Sequence, residues 1–228
     1  MLSPVLFIAF LGGVLPALLW LFFWLLEDRC EPEPKRYIFL CFVAGGLAVF
    51  PVYYIERFAM AYFTGAMLLF IWAASEELLK FFAAYVTALR AHVFDEPLDA
   101  VIYMVTAALG FSAVENALFL MGPLSQGDIL GTIVTGDLRF IGATLLHTLS
   151  SATIGIALAL SFSKNLVVRK MATLLGVVLA IILHTLFNFF ILGGSGGMTL
   201  WIFLVMWVGV VLALVFVERI KQPTRDYC

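Results

Sequence analysis

The chain consists of long apolar runs separated by short polar segments. Seven runs are long enough to cross a bilayer, at approximately 3–26, 37–55, 61–88, 98–121, 138–162, 171–192 and 198–217. About 20 helical residues span the roughly 30 Å of hydrocarbon in a membrane. Backbone groups in lipid need internal hydrogen bonds, and runs of this length satisfy them as helices. The pattern predicts an all-α, polytopic transmembrane bundle of about seven helices, forming a single domain over residues 1–228.

Composition supports a membrane protein and excludes several soluble classes. Hydrophobic residues make up 64% of the chain, charged residues make up 12%, and the mean hydropathy is +1.09. Soluble domains carry about twice that charged fraction. The sequence offers no basic face, so no nucleic-acid partner is expected. The three cysteines show no CxxC spacing, which predicts neither a disulfide framework nor a cysteine zinc site.

Lysine and arginine residues predict the orientation of the bundle, because cytoplasmic connections carry an excess of them. Arg57 and Arg139 lie on one predicted side, and Lys80 lies inside the third helix. The other ten lie in the connections 1–2, 3–4 and 5–6 and in the C-terminal tail: Arg29, Lys35, Arg36, Arg90, Lys164, Arg169, Lys170, Arg219, Lys221 and Arg225. This distribution predicts an N-terminus outside and a C-terminus in the cytoplasm. The outer segment 122–137 is interpreted as a flexible surface loop, and the alternative is a segment that dips back toward the functional site or acts as a gate.

Several titratable residues lie inside the apolar runs. A charged side chain at mid-membrane costs roughly 2.5–3.5 kcal/mol even on lenient scales, so such residues usually serve a function. Four predicted helices contribute them: Glu76 and Glu77 with Lys80, Glu115 with Asn116, His147, and His184 with Asn188. With the predicted orientation, these glutamates and histidines reach one level in the outer half of the membrane. We therefore expect them to form one site.

The adjacent glutamates are the most informative pair. Glu76 and Lys80 are four residues apart and share a helix face, whereas Glu77 points about 100° away. A buried ion pair that neutralises itself accounts for one glutamate but not for two. The remaining carboxylate is a candidate general acid or base.

The other polar residues allow two interpretations each. His184 and Asn188 share a helix face and can present donors to an oxyanion, or they can form a hydrogen-bonding pair between helices. His147 lies on a stripe of small residues that favours close helix packing. Arg139 is expected to mark the membrane boundary, and Asn116 to bond an adjacent helix. The candidate zinc ligands, which would leave an open coordination position, are Glu76, Glu115, His147 and His184.

Several of these motifs resemble those of one family. EELLK at 76–80 is similar to the EExxK motif of the PrsW family of intramembrane proteases, within the CAAX-protease-like superfamily. Further similarities follow in order: an acidic, proline-containing loop DRCEPEPKR, the FxxxEN segment from Phe111 to Asn116, an R…H…G helix over 139–155, and the HxxxN element at 184–188. The resemblance covers about residues 20–190, and it places the catalytic core at about 61–192.

The resemblance implies a protease of a prokaryotic cell membrane that cleaves a single-pass membrane protein. In the best-known bacterial case the substrate is an anti-sigma factor, cut on its extracytoplasmic side. In the CAAX-processing branch, the first glutamate and a histidine of an FxxxH motif activate water, but Glu115 stands at that histidine position here. We therefore expect Glu76 to act with His147 or His184.

The remaining roles follow from this expectation. His184 and Asn188 would stabilise the oxyanion, while Glu77, Lys80 and Glu115 would hold the network, with or without a divalent metal. Two other hypotheses stay open. A proton- or cation-coupled transporter would use the same residue types but needs a polar path through both halves of the membrane. A non-catalytic membrane scaffold would retain the fold alone.

Overall fold

A computed structural model describes residues 4–29, 31–193 and 196–225, and every regular element in these ranges is a helix. The helices are α1 (Pro4–Glu27), α2 (Lys35–Tyr62), α3 (Gly65–Ala84), α4 (Pro97–Ser125), α5 (Ile129–Leu138), α6 (Thr144–Leu160), α7 (Leu166–Gly193) and α8 (Gly196–Arg225). A π-helical turn, Tyr85–Leu89, extends α3, and another, Arg139–Ala143, joins α5 to α6. The predicted all-α bundle is confirmed.

Six helical segments of the described chain are long and apolar enough to cross a membrane, with α5 and α6 counted as one. Helix α3 is the seventh long helix and does not meet this criterion, because it carries Glu76, Glu77 and Lys80. These three side chains are buried inside the bundle, where other helices shield them from lipid. The orientation of the bundle stays a prediction, as does its description as a single domain.

Two predicted boundaries are wrong. Glu56 and Arg57 were expected in the turn after the second helix, but α2 continues through them to Tyr62. The chain reverses instead at Thr64 and Gly65, where Gly65 has a φ of 59° that a side chain would strain. The segment 122–137 was expected to be a loop, but α4 and α5 occupy most of it. In both places charged or glycine residues lie within helices, so composition alone misplaced the ends.

Helix α4 is the centre of the bundle. Every residue from Leu98 to Ala113 is buried, as expected for a helix that is apolar on all sides. Pro97 occupies its first turn, and the side chains of Glu96 and Asp99 form a capping box there. Helices α1, α2 and α6 pack around α4, so α4 fixes the positions of the elements that carry the polar residues.

Glycines allow α2 and α4 to approach closely. A Cβ atom at Gly110 would lie 1.9 Å from the carbonyl oxygen of Phe42, and one at Gly45 would lie 2.0 Å from that of Ala107. We expect Gly110→Ala to lower the free energy of unfolding by about 1–3 kcal/mol, because the backbones must separate. Denaturation in detergent micelles, followed by tryptophan fluorescence, measures this change. Gly122→Ala is the matched control on the same helix, since no atom lies within 4 Å of its Cβ position.

Acidic side chains gather near the start of α4. Asp28 accepts a hydrogen bond from the backbone N–H of Glu33 at 3.1 Å, and the Tyr103 hydroxyl donates to the Glu33 carboxyl. Burial raises the pKa of Asp28 to about 7 and that of Glu96 to about 8. Burial also raises the pKa of Glu33, with a contribution from the neighbouring Asp99 carboxyl. These groups keep protons in the folded state at pH values where the unfolded chain releases them.

This cluster predicts that stability decreases as the pH rises. Carboxyls with a raised pKa favour the folded state below their folded pKa, and that advantage disappears as the pH rises from about 5 to about 9. Thermal unfolding in detergent across this range measures the slope. Glu33→Gln should reduce the pH dependence of the unfolding temperature, whereas Asp137→Asn, at an exposed position, should leave it unchanged. An equal slope in wild type and Glu33→Gln would contradict this assignment.

Candidate active site

Most of the polar residues predicted from four helices line one pocket, whereas Glu77, Lys80 and Asn116 are not among its lining residues. Its volume is about 510 Å³, and its lining includes Glu76, Glu115, Arg139, His147, His184 and Asn188. The lining side chains come from α3, α4, α6 and α7 and from the π turn before α6, while residues of α2 and α8 complete the walls. The predicted convergence is confirmed. Because the pocket lies within apolar helices, its polar groups are largely screened from water.

Three side chains form the innermost set, which we call the inner triad: Glu76, His147 and His184. Glu76 is 4% exposed, and each histidine is 2% exposed. The Oε2 atom of Glu76 lies 3.6 Å from His147 Nδ1 and 3.8 Å from His184 Nε2. This Oε2 atom is buried and has no hydrogen-bond donor among the described residues. A buried carboxylate oxygen without a donor is costly, so it marks a position for a ligand.

Each histidine of the inner triad is hydrogen-bonded to a second carboxylate through the ring nitrogen that faces away from Glu76. His184 Nδ1 is 2.7 Å from Glu77 Oε1, and His147 Nε2 is 2.9 Å from Glu115 Oε2. An ionised carboxylate only accepts hydrogen bonds, so these two ring nitrogens carry the protons. The other nitrogens, His184 Nε2 and His147 Nδ1, then present lone pairs toward Glu76. Such carboxylate–histidine pairs are the usual outer support of metal-binding histidines.

Lys80 pairs with Glu77 rather than with Glu76. Its Nζ atom lies 2.6 Å from Glu77 Oε1, and both side chains are fully buried. The expectation from the spacing of four residues is therefore wrong. Residues three apart are also helix neighbours, and the rotation of α3 turns Lys80 and Glu77 toward α6 and α7. Lys80 Nζ also lies 3.0 Å from His147 Nδ1, so a metal at Nδ1 would replace this hydrogen bond.

Glu115 is held by a network of its own. Arg139 forms an ion pair with the Glu115 carboxylate, and its Nε donates to Asn116 Oδ1 at 2.5 Å. The Asn116 amide in turn donates to Ser112 Oγ at 3.2 Å and to Thr144 Oγ1 at 3.0 Å. Arg139 therefore does more than mark a membrane boundary, since it connects α4 to the start of α6. This network fixes the carboxylate that orients His147.

The stripe of small residues that includes His147 packs closely against a neighbouring helix, as predicted. Its members are Ala143, His147, Ser151 and Gly155. A Cβ atom at Gly155 would lie 2.6 Å from the Cα of Val101, so α6 lies directly against α4. Asn188 lines the pocket one turn beyond His184, as the shared helix face predicted. Glu56 also lines the pocket, although the sequence pattern did not indicate it. The missed signal is its spacing on α2, where Val49, Val52 and Ala59 are buried and Glu56 lies on the same face.

The inner triad fits a metal ion. Its three candidate ligand atoms all lie within 4.8 Å of one another. Tetrahedral ligands about 2.1 Å from a zinc ion lie about 3.4 Å apart, so small side-chain movements would close the site. Two imidazoles and one carboxylate are also a donor set that zinc accepts. Glu115 lies outside this group, because its carboxylate bonds His147 and Arg139 from behind.

Comparison with known proteins then identifies the family. The profile described as "PrsW family intramembrane metalloprotease" matches residues 33–216, most of the chain. The chain belongs to the PrsW family. The resemblance found in the short motifs is confirmed, and so is a multi-pass membrane protein. The family match favours the protease hypothesis over the transporter.

Individual PrsW proteins show the extent of the similarity. Protease PrsW of Geobacillus kaustophilus is 31% identical over 121 residues, which cover 48% of this chain and 51% of that protein. Protease PrsW of Bacillus subtilis is 30% identical over 115 residues, covering 49% and 53%. These two alignments span about half the length of the relatives. Protease PrsW of Oceanobacillus iheyensis is 28% identical over 224 residues, covering 93% and 96%. No solved structure matches the chain significantly.

Proposed function

We propose that this protein is an intramembrane endopeptidase that hydrolyses a peptide bond in a membrane-anchored protein. The observation that carries the proposal is the inner triad, in which a donor-free carboxylate oxygen of Glu76 faces two oriented imidazoles. These groups lie at a pocket large enough for a short stretch of peptide. Relatives in three bacterial species carry the name Protease PrsW, which agrees with this function.

The inner triad would hold a divalent metal, and the donor set favours zinc. When bound, such an ion would act as a Lewis acid on the scissile carbonyl and activate water. Glu77 and Glu115 would keep His184 and His147 in the tautomers that this binding requires.

Glu76 would accept the proton that the attacking water releases. A carboxylate has two oxygens, so it can hold a metal through one and accept a proton at the other. General-base catalysis of this kind requires a hydrogen-bonded contact between the base and the water. Because Oε2 is the oxygen that faces both imidazoles, Oε1 would be the oxygen that accepts this proton when Oε2 holds the metal.

Asn188 would supply the hydrogen bond that stabilises the oxyanion. Its side chain lines the pocket one helical turn from His184. The sequence also suggested His184 as an oxyanion donor, but the Nδ1 proton of His184 points to Glu77. The side-chain amide of Asn188 is therefore the better candidate for this role.

The substrate would be a single-pass membrane protein, and the resemblance points to an anti-sigma factor. With the orientation predicted from lysine and arginine residues, the pocket lies in the outer half of the membrane. Cleavage there would release an extracytoplasmic segment of the substrate.

Co-reconstitution with a panel of single-pass substrates, anti-sigma factors among them, tests this function. Wild-type protein should cleave at least one substrate, and His184→Ala should reduce the rate by at least about a hundredfold. His92→Ala is the matched control, because His92 is exposed and lies outside the pocket. Cleavage at the wild-type rate by His184→Ala would contradict the proposal. A folded wild type that cleaves none of the panel would favour the scaffold.

A further inference from the structure

A groove of about 580 Å³ lies between α3 and α7, and it shares no lining residue with the pocket of the inner triad. One wall is formed by α3 from Leu78 onward and by the π turn that extends it. The other wall is formed by α7 between Leu166 and Val177. We call this feature the α3–α7 groove. Most of its lining is apolar, so its residues are compatible with contact to lipid.

Three basic residues lie at one end of the α3–α7 groove. Arg90 directly follows the π turn, and Arg169 and Lys170 lie near the start of α7. The described residues that line the groove include no acidic side chain. An excess of lysine and arginine on the cytoplasmic side sets the orientation of a membrane protein. That rule does not require basic residues from two helices distant in sequence to meet at one groove.

The charges at the groove have no carboxylate partner in the described part of the chain. The ion pairs formed by these ranges use other cations. The Cζ atom of Arg169 lies 5.2 Å from the ring centroid of Phe94 and 5.7 Å from that of Phe162. These contacts with aromatic rings position the guanidinium without neutralising it. Arg90 Nε donates to the carbonyl of Val86 at 3.2 Å, which likewise leaves its charge unpaired.

The dimensions and the chemistry of the groove match a phospholipid. Leu78 and Arg90 lie roughly 18 Å apart along α3 and its π turn, at a rise of about 1.5 Å per residue. One leaflet contributes about 15 Å of hydrocarbon, half the thickness of the bilayer core. Arginine and lysine recognise phosphate groups, and arginine does so through paired N–H donors. The basic end therefore suits a phosphate headgroup, and the apolar wall suits an acyl chain.

A second groove on α7 provides a contrast. It has a volume of about 520 Å³ and lies between α6, α7 and α8. Lys164 is the one charged side chain among the described residues that line it. Such a groove can accommodate an acyl chain but offers little to select a headgroup. Positive charge therefore distinguishes the α3–α7 groove from an ordinary lipid-facing furrow.

We propose that the α3–α7 groove binds one anionic phospholipid from the leaflet predicted to face the cytoplasm, with its headgroup at Arg90, Arg169 and Lys170 and an acyl chain along α3. Basic pockets between transmembrane helices are suited to anionic headgroups. The lipid would bridge the helix that carries Glu76 and the helix that carries His184. A ligand that binds only the folded state also stabilises it. This binding does not depend on the proposed function.

Native mass spectrometry of the full-length protein in a neutral detergent tests the proposal, because it counts bound lipids directly. Phosphatidylglycerol should bind at about one per chain and at least about tenfold more tightly than phosphatidylcholine with the same acyl chains. Each basic residue near a membrane surface contributes about fivefold to the binding of anionic lipid. The groove variant, which combines Arg90→Gln, Arg169→Gln and Lys170→Gln, should bind the two lipids equally.

The matched control removes the same number of charges elsewhere on the same predicted side. It combines Arg29→Gln, Lys35→Gln and Arg36→Gln, at exposed positions outside the groove, and it should keep the preference for phosphatidylglycerol. Lys170→Gln alone replaces the groove variant if that variant does not fold. This single substitution at an exposed position should weaken phosphatidylglycerol binding about fivefold.

Three results would overturn the proposal. The first is equal binding of phosphatidylglycerol by the wild type and the groove variant. The second is an equal loss of binding in the control variant, which would show that the charges act at a distance and not at the groove. The third is displacement of the lipid by glycerol 3-phosphate, which carries the phosphate without acyl chains. None of these measurements involves cleavage, so the proposed function can fail while the lipid site stands.

Discussion

Replacement of Glu76 by glutamine should lower the rate of substrate cleavage by about 10²–10⁴-fold, the range associated with loss of a general base. Glutamine nearly preserves the volume of the side chain but cannot accept a proton or hold a cation as a carboxylate does. The buried position facing His147 and His184 would be filled by a neutral amide. The rate constant for cleavage of a reconstituted single-pass substrate measures this effect.

The control for this prediction is Glu31→Gln, which changes an exposed glutamate outside the pocket. Both variants should unfold at nearly the same temperature as the wild type if the effect on cleavage is chemical. Full activity in a folded Glu76→Gln protein would show that another group accepts the proton. Glu115 is not the expected substitute base, because its carboxylate already contacts Arg139 and His147.

Lys80→Met should produce the largest loss of stability, about 3–5 kcal/mol in the free energy of unfolding. Lys80 and Glu77 are both fully buried, with Nζ and Oε1 2.6 Å apart. Methionine preserves much of the volume but leaves the Glu77 carboxylate without its cation. Unfolding by SDS in mixed micelles measures the loss.

A second substitution tests whether the unpaired charge is the cause. Glu77→Gln added to Lys80→Met removes that charge and retains an acceptor for His184 Nδ1. The double variant should therefore be more stable than Lys80→Met alone. Lys164→Met, at an exposed lysine, should change stability little. A double variant less stable than Lys80→Met would refute the ion-pair explanation.

The sequence predicted the helices well because lipid allows few alternatives. Apolar runs of about 20 residues must satisfy their backbone internally, and the membrane supplies no competing partner. The prediction failed where polar residues lie within helices. Glu56 and Arg57 are residue types typical of a turn, yet α2 continues through them to Tyr62. The apolar content of 122–137 was likewise overlooked, since α5 occupies Ile129–Leu138.

The candidate site was predictable in membership but not in its pairings. The sequence alone shows that titratable residues lie in apolar runs, where they carry a free-energy cost. These residues are Glu76, Glu115, His147 and His184. Which nitrogen of a histidine meets which carboxylate depends on the rotation of each helix about its axis, and a spacing of three or four residues does not fix that rotation. Lys80 was therefore assigned to the wrong glutamate.

Metal analysis of the purified protein tests the central claim most directly. Wild type purified without chelator and supplied with zinc should retain about one ion per chain, as expected for one two-histidine, one-carboxylate site. A variant combining His147→Ala and His184→Ala should retain none, while His92→Ala should match the wild type. Equal zinc content in wild type and the double variant would contradict the claim that Glu76, His147 and His184 form the metal centre.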